Sequence, residues 1–388
     1  MSQAELPATD VTYITARMAQ VVEDARACGF DVVDLSIGNP DLPPPEEALD
    51  ALNAAVHAPG AHRYAPMESR GMPEFREAFA AWYRRRSSVS LDVETQVLAM
   101  LGAKEAAHLL CAALLVRGDS VVICEPAYGP YRSAAERCGA RVHSLAGRAE
   151  MGFGAEPSQV PDDVLSRTRL VFLNFPNNPT GALATPGCFE RWIDAARRHG
   201  FLLCNDFVYS EIYDDGPAPR SLLEIEGALD VAVELHSLSK TYNLCGWRLG
   251  VMLGQHDAIA RVLALKRHVD AGPATVLQLA AARMLGQPLE AFLAAQRLTY
   301  SARRRLLSGG LQRAGYEVFP SRAGMFVWAR TPGGQSAQAH LGDLIRRYGI
   351  ACNPGTAYGS EYGSHVRFSL GVPEDRLDEA VRRLCAAL

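Results

Sequence analysis

The chain carries no Cys-x-x-Cys pair, and its nine cysteines are scattered and odd in number. A disulfide framework or a zinc site is therefore not expected, and a reducing cytosol is the natural setting. No His-Glu-x-x-His pattern occurs among the ten histidines, so the sequence offers no metal site. No apolar run approaches the length of a membrane span, and Met1 to Asp10, polar and acidic, does not read as a signal peptide. Blocks of like charge are missing apart from Arg84-Arg85-Arg86, which closes a helix-like run from Phe75 to Tyr83. Cations suit that end of a helix dipole. With a net charge of -4 and no second basic cluster interleaved with aromatics, nucleic-acid binding is not expected. Internal repeats and low-complexity stretches are also lacking.

What is present has the texture of an ordinary soluble globular protein. A length of 388 residues allows two or three domains, and 48% hydrophobic with 21% charged residues allows an ordinary core. Short apolar runs at Val97 to Leu101, Val121 to Cys124, Arg141 to Leu145, Leu170 to Asn174, Phe201 to Cys204, Val231 to Leu235 and Leu249 to Leu253 lack clean polar alternation. Strands covered on both faces read this way. Amphipathic stretches lie between several of them: Lys104 to Val116, Gly129 to Cys138 and Gly187 to His199. The alternation predicts an α/β fold, a mostly parallel doubly wound sheet with helices on both sides.

After about Asp270 the pattern changes. One long helix is expected over Thr275 to Leu307, then strands at Phe326 to Ala329 and Val366 to Leu370, and a closing helix over Glu374 to Leu388. These describe a smaller α+β domain. Pro43-Pro44-Pro45 is a stiff crossing point between domains.

The chemistry begins at Lys240, in the run Ser237-Leu238-Ser239-Lys240-Thr241-Tyr242-Asn243-Leu244-Cys245-Gly246-Trp247-Arg248. An amine between hydroxyls, with a guanidinium eight positions on, suits an aldehyde cofactor that carries a phosphate. The amine forms a Schiff base, and the hydroxyls and arginine take the phosphate. Ligands in a doubly wound sheet sit beyond the carboxyl ends of the strands. Asn174 and Asp206 each stand where an apolar run stops.

Four segments appear in order: Asn174-Phe175-Pro176-Asn177-Asn178-Pro179-Thr180-Gly181, Asn205-Asp206-Phe207-Val208-Tyr209, Ser237 to Arg248, and Val366-Arg367-Phe368-Ser369-Leu370. Together they resemble the fold-type I, class I/II pyridoxal-phosphate aminotransferases, and within them the branch of alanine-type and diaminopimelate-type enzymes. The resemblance spans Gly38-Asn39-Pro40-Asp41 to about Val372. It implies a large cofactor-binding domain at 41–275 and a small domain built from 1–40 and 276–388.

The resemblance also implies roles. Lys240 would hold pyridoxal 5'-phosphate as an internal aldimine and later shuttle a proton, which needs a depressed amine pKa. Asp206 would pair with the pyridine nitrogen and keep the ring cationic. Asn178 and Tyr209 would donate to the phenolate oxygen. Gly102, Ala103 and Lys104, at a helix start, would hold the phosphate with Ser237, Ser239 and Arg248. Ala103 stands where the family usually has a hydroxyl, a loss of one phosphate hydrogen bond worth about 1–3 kcal/mol. Tyr128 would stack on the ring. Tyr64 would reach the phosphate of a neighbouring subunit, making the working unit a homodimer with shared sites. Arg367, with Gly38 and Asn178, would bind the substrate α-carboxylate.

Blander readings stand beside these. Asp206 could cap a turn, Asn178 could be a turn residue before proline, Tyr64, Tyr128 and Tyr209 could be packed aromatics, and Arg367 could point to solvent from an edge strand. The expected reaction moves an amino group from an L-amino acid to a 2-oxo acid. The same residues also suit a carbon–sulfur β-lyase or a decarboxylating or oxidative deaminating enzyme. An aminotransferase-like transcription regulator is not expected, because only about forty residues precede the sheet region and the chain is acidic. Candidates for a distal substrate charge are Arg17, Arg63, Arg70 and Arg322, and Tyr13 and Met325 are possible pocket residues. Cys245 reads either as a reactive thiol beside the lysine or as a small buried side chain.

Overall fold

The computed structural model describes residues 14–65 and 69–386. Its seven-stranded sheet has the order Val97–Met100, Gly250–Gly254, Ala232–Ser237, Leu202–Asp206, Thr168–Leu173, Ser120–Glu125, Arg141–Ala146. Gly250–Gly254 runs antiparallel to both neighbours, and the remaining pairs are parallel. All seven apolar runs of the sequence are strands of this sheet, each displaced by no more than a few residues. Their apolar continuity has a direct cause. Successive side chains point to opposite faces, and both faces are covered. Leu98 and Met100, Val121 and Ile123, and Leu170 and Phe172 enter one apolar layer. Val97 and Ala99, Val122, and Val171 and Leu173 enter the other. The outer strand Arg141–Ala146 has only one partner and is largely open to solvent, as an edge strand is.

The expected helices Ala103–Leu114, Pro130–Arg137 and Cys188–His199 connect these strands. The single helix expected over Thr275 to Leu307 is two helices, Thr275–Leu285 and Glu290–Arg313. Between them lies Gly286-Gln287-Pro288-Leu289, where the proline lacks an amide hydrogen and its ring clashes with a preceding helical turn. The break also separates two packing jobs. Thr275–Leu285 lies on helices Glu46–Val56 and Pro73–Ser87, whereas Glu290–Arg313 lies against Glu374–Cys385.

A second sheet has the order Asn353–Pro354, His365–Ser369, Phe326–Arg330, Glu317–Val318, all antiparallel. Val33–Asp34 pairs in parallel with Ile350–Ala351. One apolar core joins Met18, Val22 and Leu35 to Leu307, Ile350, Phe368 and Leu377. The start of the described chain therefore packs with its last third. Pro45 directly precedes helix Glu46–Val56, and the Asn243 amide donates to the Pro43 carbonyl at 3.0 Å. Among the described residues, no helix is long and apolar enough to cross a membrane, and no group of three His, Cys, Asp or Glu side chains is placed to hold a metal.

Candidate active site

A cavity of about 560 Å³ opens beyond the carboxyl ends of the parallel strands. Asp206, the last residue of its strand, is buried at its floor. The Tyr131 hydroxyl donates to Asp206 Oδ2 at 2.5 Å, and the Val208 N–H reaches Oδ1 at 3.4 Å. Burial pushes the Asp206 carboxyl up to about 6, while the bonds from Tyr131 and Val208 pull the other way. A carboxylate desolvated in this manner favours a cation placed against it. Asn174 fixes the backbone around it. Its amide donates to the Asp206 carbonyl at 2.6 Å and the Pro176 carbonyl at 3.1 Å, and its Oδ1 accepts the Asn178 N–H at 2.8 Å. The Asn-Asn-Pro turn is thereby pinned to the strand that carries Asp206.

Lys240 lies on the short helix Leu238–Thr241, directly after the strand Ala232–Ser237. Its Nζ donates to the Gly38 carbonyl at 2.6 Å and lies 3.5 Å from Cys245 Sγ. Burial lowers its pKa, Cys245 opposes that, and the positive charges of Arg367 and Arg248 lower it further. Cys245 is half-buried and its thiol turns to the Ser239 carbonyl at 3.1 Å.

At the other end, Ser237 caps the lysine helix. Its Oγ accepts the Ser239 N–H at 3.2 Å and donates to Ser239 Oγ at 2.9 Å. Arg248 adopts a left-handed backbone (φ 51°), which turns its guanidinium to the Leu101 carbonyl at 3.1 Å and the Cys245 carbonyl at 3.0 Å. Gly102 has φ 96°, and a Cβ there would lie 2.8 Å from Arg248 Nη2. Only glycine lets the loop and the arginine close on each other. The helix Ala103–Leu114 starts at this point, so backbone N–H groups, two hydroxyls and a guanidinium face one concavity. Ala103 lines it without a hydroxyl. Tyr128 lines the cavity beside Tyr131, ring centroids 5.7 Å apart and edge to face, and Lys104 Nζ lies 6.0 Å from the Tyr128 ring centre.

Arg367 closes the site from the second sheet. It is buried in an inner strand, not turned to solvent from an edge. Its guanidinium donates to Asn178 Oδ1 at 3.0 Å and to the Ser36 carbonyl at 2.7 Å, and lies 4.0 Å over the Phe326 ring. Its Nε is buried without a partner, and its guanidinium lines the cavity, a cation placed for an anion. Tyr209 is buried against Phe326, ring centroids 5.7 Å apart, and burial pushes its phenol well up.

The site fits a cationic heterocycle with an aldehyde and a phosphate: a lone buried carboxylate, a lysine with lowered pKa, and a cationic cradle stand along one cavity. Comparison with known proteins agrees. The sequence profile of aminotransferase class I and II matches residues 31–384. The chain belongs to the class I and II aminotransferases. It is a pyridoxal-phosphate-dependent transferase of amino groups. The aminotransferase is 37% identical over 376 residues to an LL-diaminopimelate aminotransferase of Desulforudis audaxviator, covering 97% of this chain and 95% of that one. It is similar to the solved structure of a probable N-succinyldiaminopimelate aminotransferase from Thermus thermophilus, with a TM-score of 0.89 and 34% identity over 97% of this chain and all of that one. An aspartate aminotransferase double mutant of Thermus thermophilus gives a TM-score of 0.91 at 28% identity, covering 98% of each chain.

In the aminotransferase the cavity collects Gly38, Ala103, Lys104, Tyr128, Asn178, Asp206, Tyr209, Ser237, Ser239, Lys240, Arg248 and Arg367, with Gly102 against Arg248. Tyr64 is apart from them, 87% exposed. None of Arg17, Arg63, Arg70 and Arg322 lines the cavity. Arg70 is bonded to the Glu94 carbonyl, and Arg322 to the Asp215 carbonyl at 2.8 Å. Met325 also fails as a pocket residue: it is fully buried in the small core, and its neighbour Phe326 faces the site, since adjacent side chains leave an extended chain in opposite directions. Tyr13 lies outside the described residues. Sequence reasoning missed Tyr131, Ile37 and Asn39, and gave Asn174 a place but no partner. Nothing in the sequence marks Tyr131, whose role lies in its hydroxyl bond to Asp206.

Proposed function

We propose that this aminotransferase moves the amino group of an L-amino acid of the diaminopimelate class to a 2-oxo acid, working as a cytoplasmic homodimer. The observation that carries the reading is the convergence of Lys240, Asp206 and Arg367 on one cavity from three separate segments. Relatives named as LL-diaminopimelate aminotransferases support the substrate class. The separate apolar cores of the two sheets support a cofactor domain and a small domain built from both ends of the chain, but the expected boundary at 275/276 moves: helix Thr275–Leu285 packs into the core of the cofactor domain, not that of the small one.

Bound pyridoxal phosphate supplies an electrophilic aldehyde and a cationic ring that withdraws electrons from the substrate Cα. Asp206 holds the ring nitrogen protonated, because pairing with that cation relieves the burial cost of its own charge. Asn178 and Tyr209 donate to the phenolate oxygen. Gly102, Ala103 and Lys104 of the helix start hold the phosphate together with Ser237, Ser239 and Arg248. Tyr128, which lines the cavity, would stack on the ring and exclude water. Arg367 takes the substrate α-carboxylate, and Asn178 and Gly38 complete that contact. The substrate Cα–H is thereby turned toward Lys240. Its lowered pKa favours the neutral Nζ that accepts the α-proton. The exposure of Tyr64 outside its own cavity supports a contribution to a second copy.

The test is a spectral titration of the loaded protein with single amino acids, LL-diaminopimelate among them, without any oxo acid. The expected outcome is stoichiometric conversion to the pyridoxamine form with one matching oxo acid released. Continuous turnover with ammonia, sulfide or carbon dioxide would instead make it a lyase or decarboxylating enzyme. Lys240→Ala should fold and bind cofactor yet lose turnover by at least about a thousandfold.

A further inference from the structure

Below the phosphate cradle lies an ion cluster that none of the proposed roles uses. Lys266, in the last turn of helix His256–Lys266, is completely buried. Its Nζ donates to Glu105 Oε1 and to Asp270 Oδ2, both at 2.8 Å. The other oxygen of each carboxylate is also occupied. Glu105 Oε2 accepts the Leu101 N–H at 2.7 Å, and Asp270 Oδ1 accepts the Gly272 N–H at 2.6 Å. A buried ion cluster is a poor stabiliser, because desolvation cancels most of the attraction and apolar side chains of equal volume do as well. Its geometry favours a different use.

Leu101 is clamped from both sides. Its N–H goes to Glu105 and its carbonyl accepts from Arg248 at 3.1 Å. That clamp sets the direction in which the chain enters Gly102 and the helix that follows. The clamp has an electrostatic cost. Glu105 stands in the first turn of the helix whose N–H groups face the cradle, where a bare carboxylate would repel a phosphate dianion. Lys266 offsets that charge from beneath without occupying the cavity, while also pairing with Asp270.

We propose that Lys266 is a positioning residue for the cofactor phosphate: through Glu105 it fixes the Leu101–Gly102 turn and offsets the charge of the carboxylate that does so, with Asp270 holding the lysine in place. This rests on the reading of Gly102 to Lys104 as the phosphate loop. None of Lys266, Glu105 and Asp270 lines the cavity, so the cluster acts through the Leu101–Gly102 turn, on the phosphate.

The experiment compares the dissociation constants of pyridoxal phosphate and of pyridoxal, which lacks the phosphate, on cofactor-stripped protein, followed by absorbance and by quenching of tryptophan emission. Unfolding of each stripped variant is recorded alongside. Lys266→Met should weaken pyridoxal phosphate by at least about tenfold while pyridoxal changes by less than about threefold. Glu105→Ala removes the clamp and leaves Lys266 with Asp270. It should move the ratio of the two constants in the same direction by about threefold or more, and it carries the test if Lys266→Met does not fold. Equal weakening of both ligands, or an unchanged or larger preference for the phosphorylated one in Glu105→Ala, overturns the proposal. A parent protein that does not prefer pyridoxal phosphate to pyridoxal would overturn the phosphate-loop reading itself, whatever the variants do.

Discussion

Asp206 is where function and stability oppose each other. Its carboxyl is raised from an ordinary 3.8 to about 6 by burial, so the folded chain binds that proton more tightly than the unfolded one. The stability it brings is complete below its ordinary value and is lost as pH rises through about 6. Above that point the cofactor-free chain carries a buried ionised carboxylate at a cost of about 3 kcal/mol. Asp206→Asn keeps the shape and removes the charge. Cofactor-free Asp206→Asn should therefore be more stable than the cofactor-free parent by about 1–3 kcal/mol at pH 8, with the difference closing near pH 4. Urea midpoints at the two pH values measure it, and an equal gap at both would show that burial of this charge is not the cause. The same variant should lose at least about a hundredfold in turnover, because a neutral amide does not hold a pyridinium. At this scale the sequence revealed the residues whose chemistry is unusual for their setting, such as Lys240 among hydroxyls and Asp206 at a strand end. It hid Tyr131 and Asn174, whose importance lies in what they touch: a tyrosine in a helix has no distinguishing mark until its hydroxyl is 2.5 Å from a buried carboxylate.

Elements bring these residues together through close backbone contact, and Gly250 is one tight case near the site. It opens the antiparallel strand Gly250–Gly254, and a Cβ there would meet the His236 carbonyl at 2.6 Å and Gly102 Cα at 2.9 Å. Both obstacles are backbone, so neither yields cheaply. Gly250→Ala should destabilise the fold by about 1–3 kcal/mol and displace the Gly102 turn. Cofactor affinity should fall in the same variant. A stable Gly250→Ala protein with parental affinity, by urea unfolding and absorbance titration, would mean that the strand and the turn part without consequence. Elements were legible where the pattern is continuous. The seven strands of the large sheet declared themselves because two covering layers demand apolar residues on both faces. The two-residue strands Val33–Asp34, Glu317–Val318, Ile350–Ala351 and Asn353–Pro354 are too short for any period, and tertiary pairing alone makes them strands. The break at Gly286 to Pro288 had a visible signal, since a proline inside a helical pattern ends it, and the apolar period on both sides concealed it.

For the whole molecule the open question is how many chains make one site. Tyr64 is 87% exposed and does not line the active-site cavity of its own chain, although its neighbour Arg63 is held firmly, its carbonyl accepting the Thr275 hydroxyl at 2.8 Å. A large aromatic presented to solvent from a fixed backbone is suited to a second copy. On the proposed dimer, a site takes Lys240 from one chain and Tyr64 from the other. Two weak variants then complement each other. In a hybrid of Lys240→Ala with Tyr64→Ala, one site carries both changes and the other carries neither. Random reassociation makes about half of the dimers hybrid, each with one intact site, so the mixture should regain about a quarter of the parental activity. The variants are co-expressed under different tags, and the doubly tagged species is isolated and assayed beside each parent variant. If that species is no more active than the mean of the two, Tyr64 acts within its own chain or not at all, and each chain is a complete catalyst.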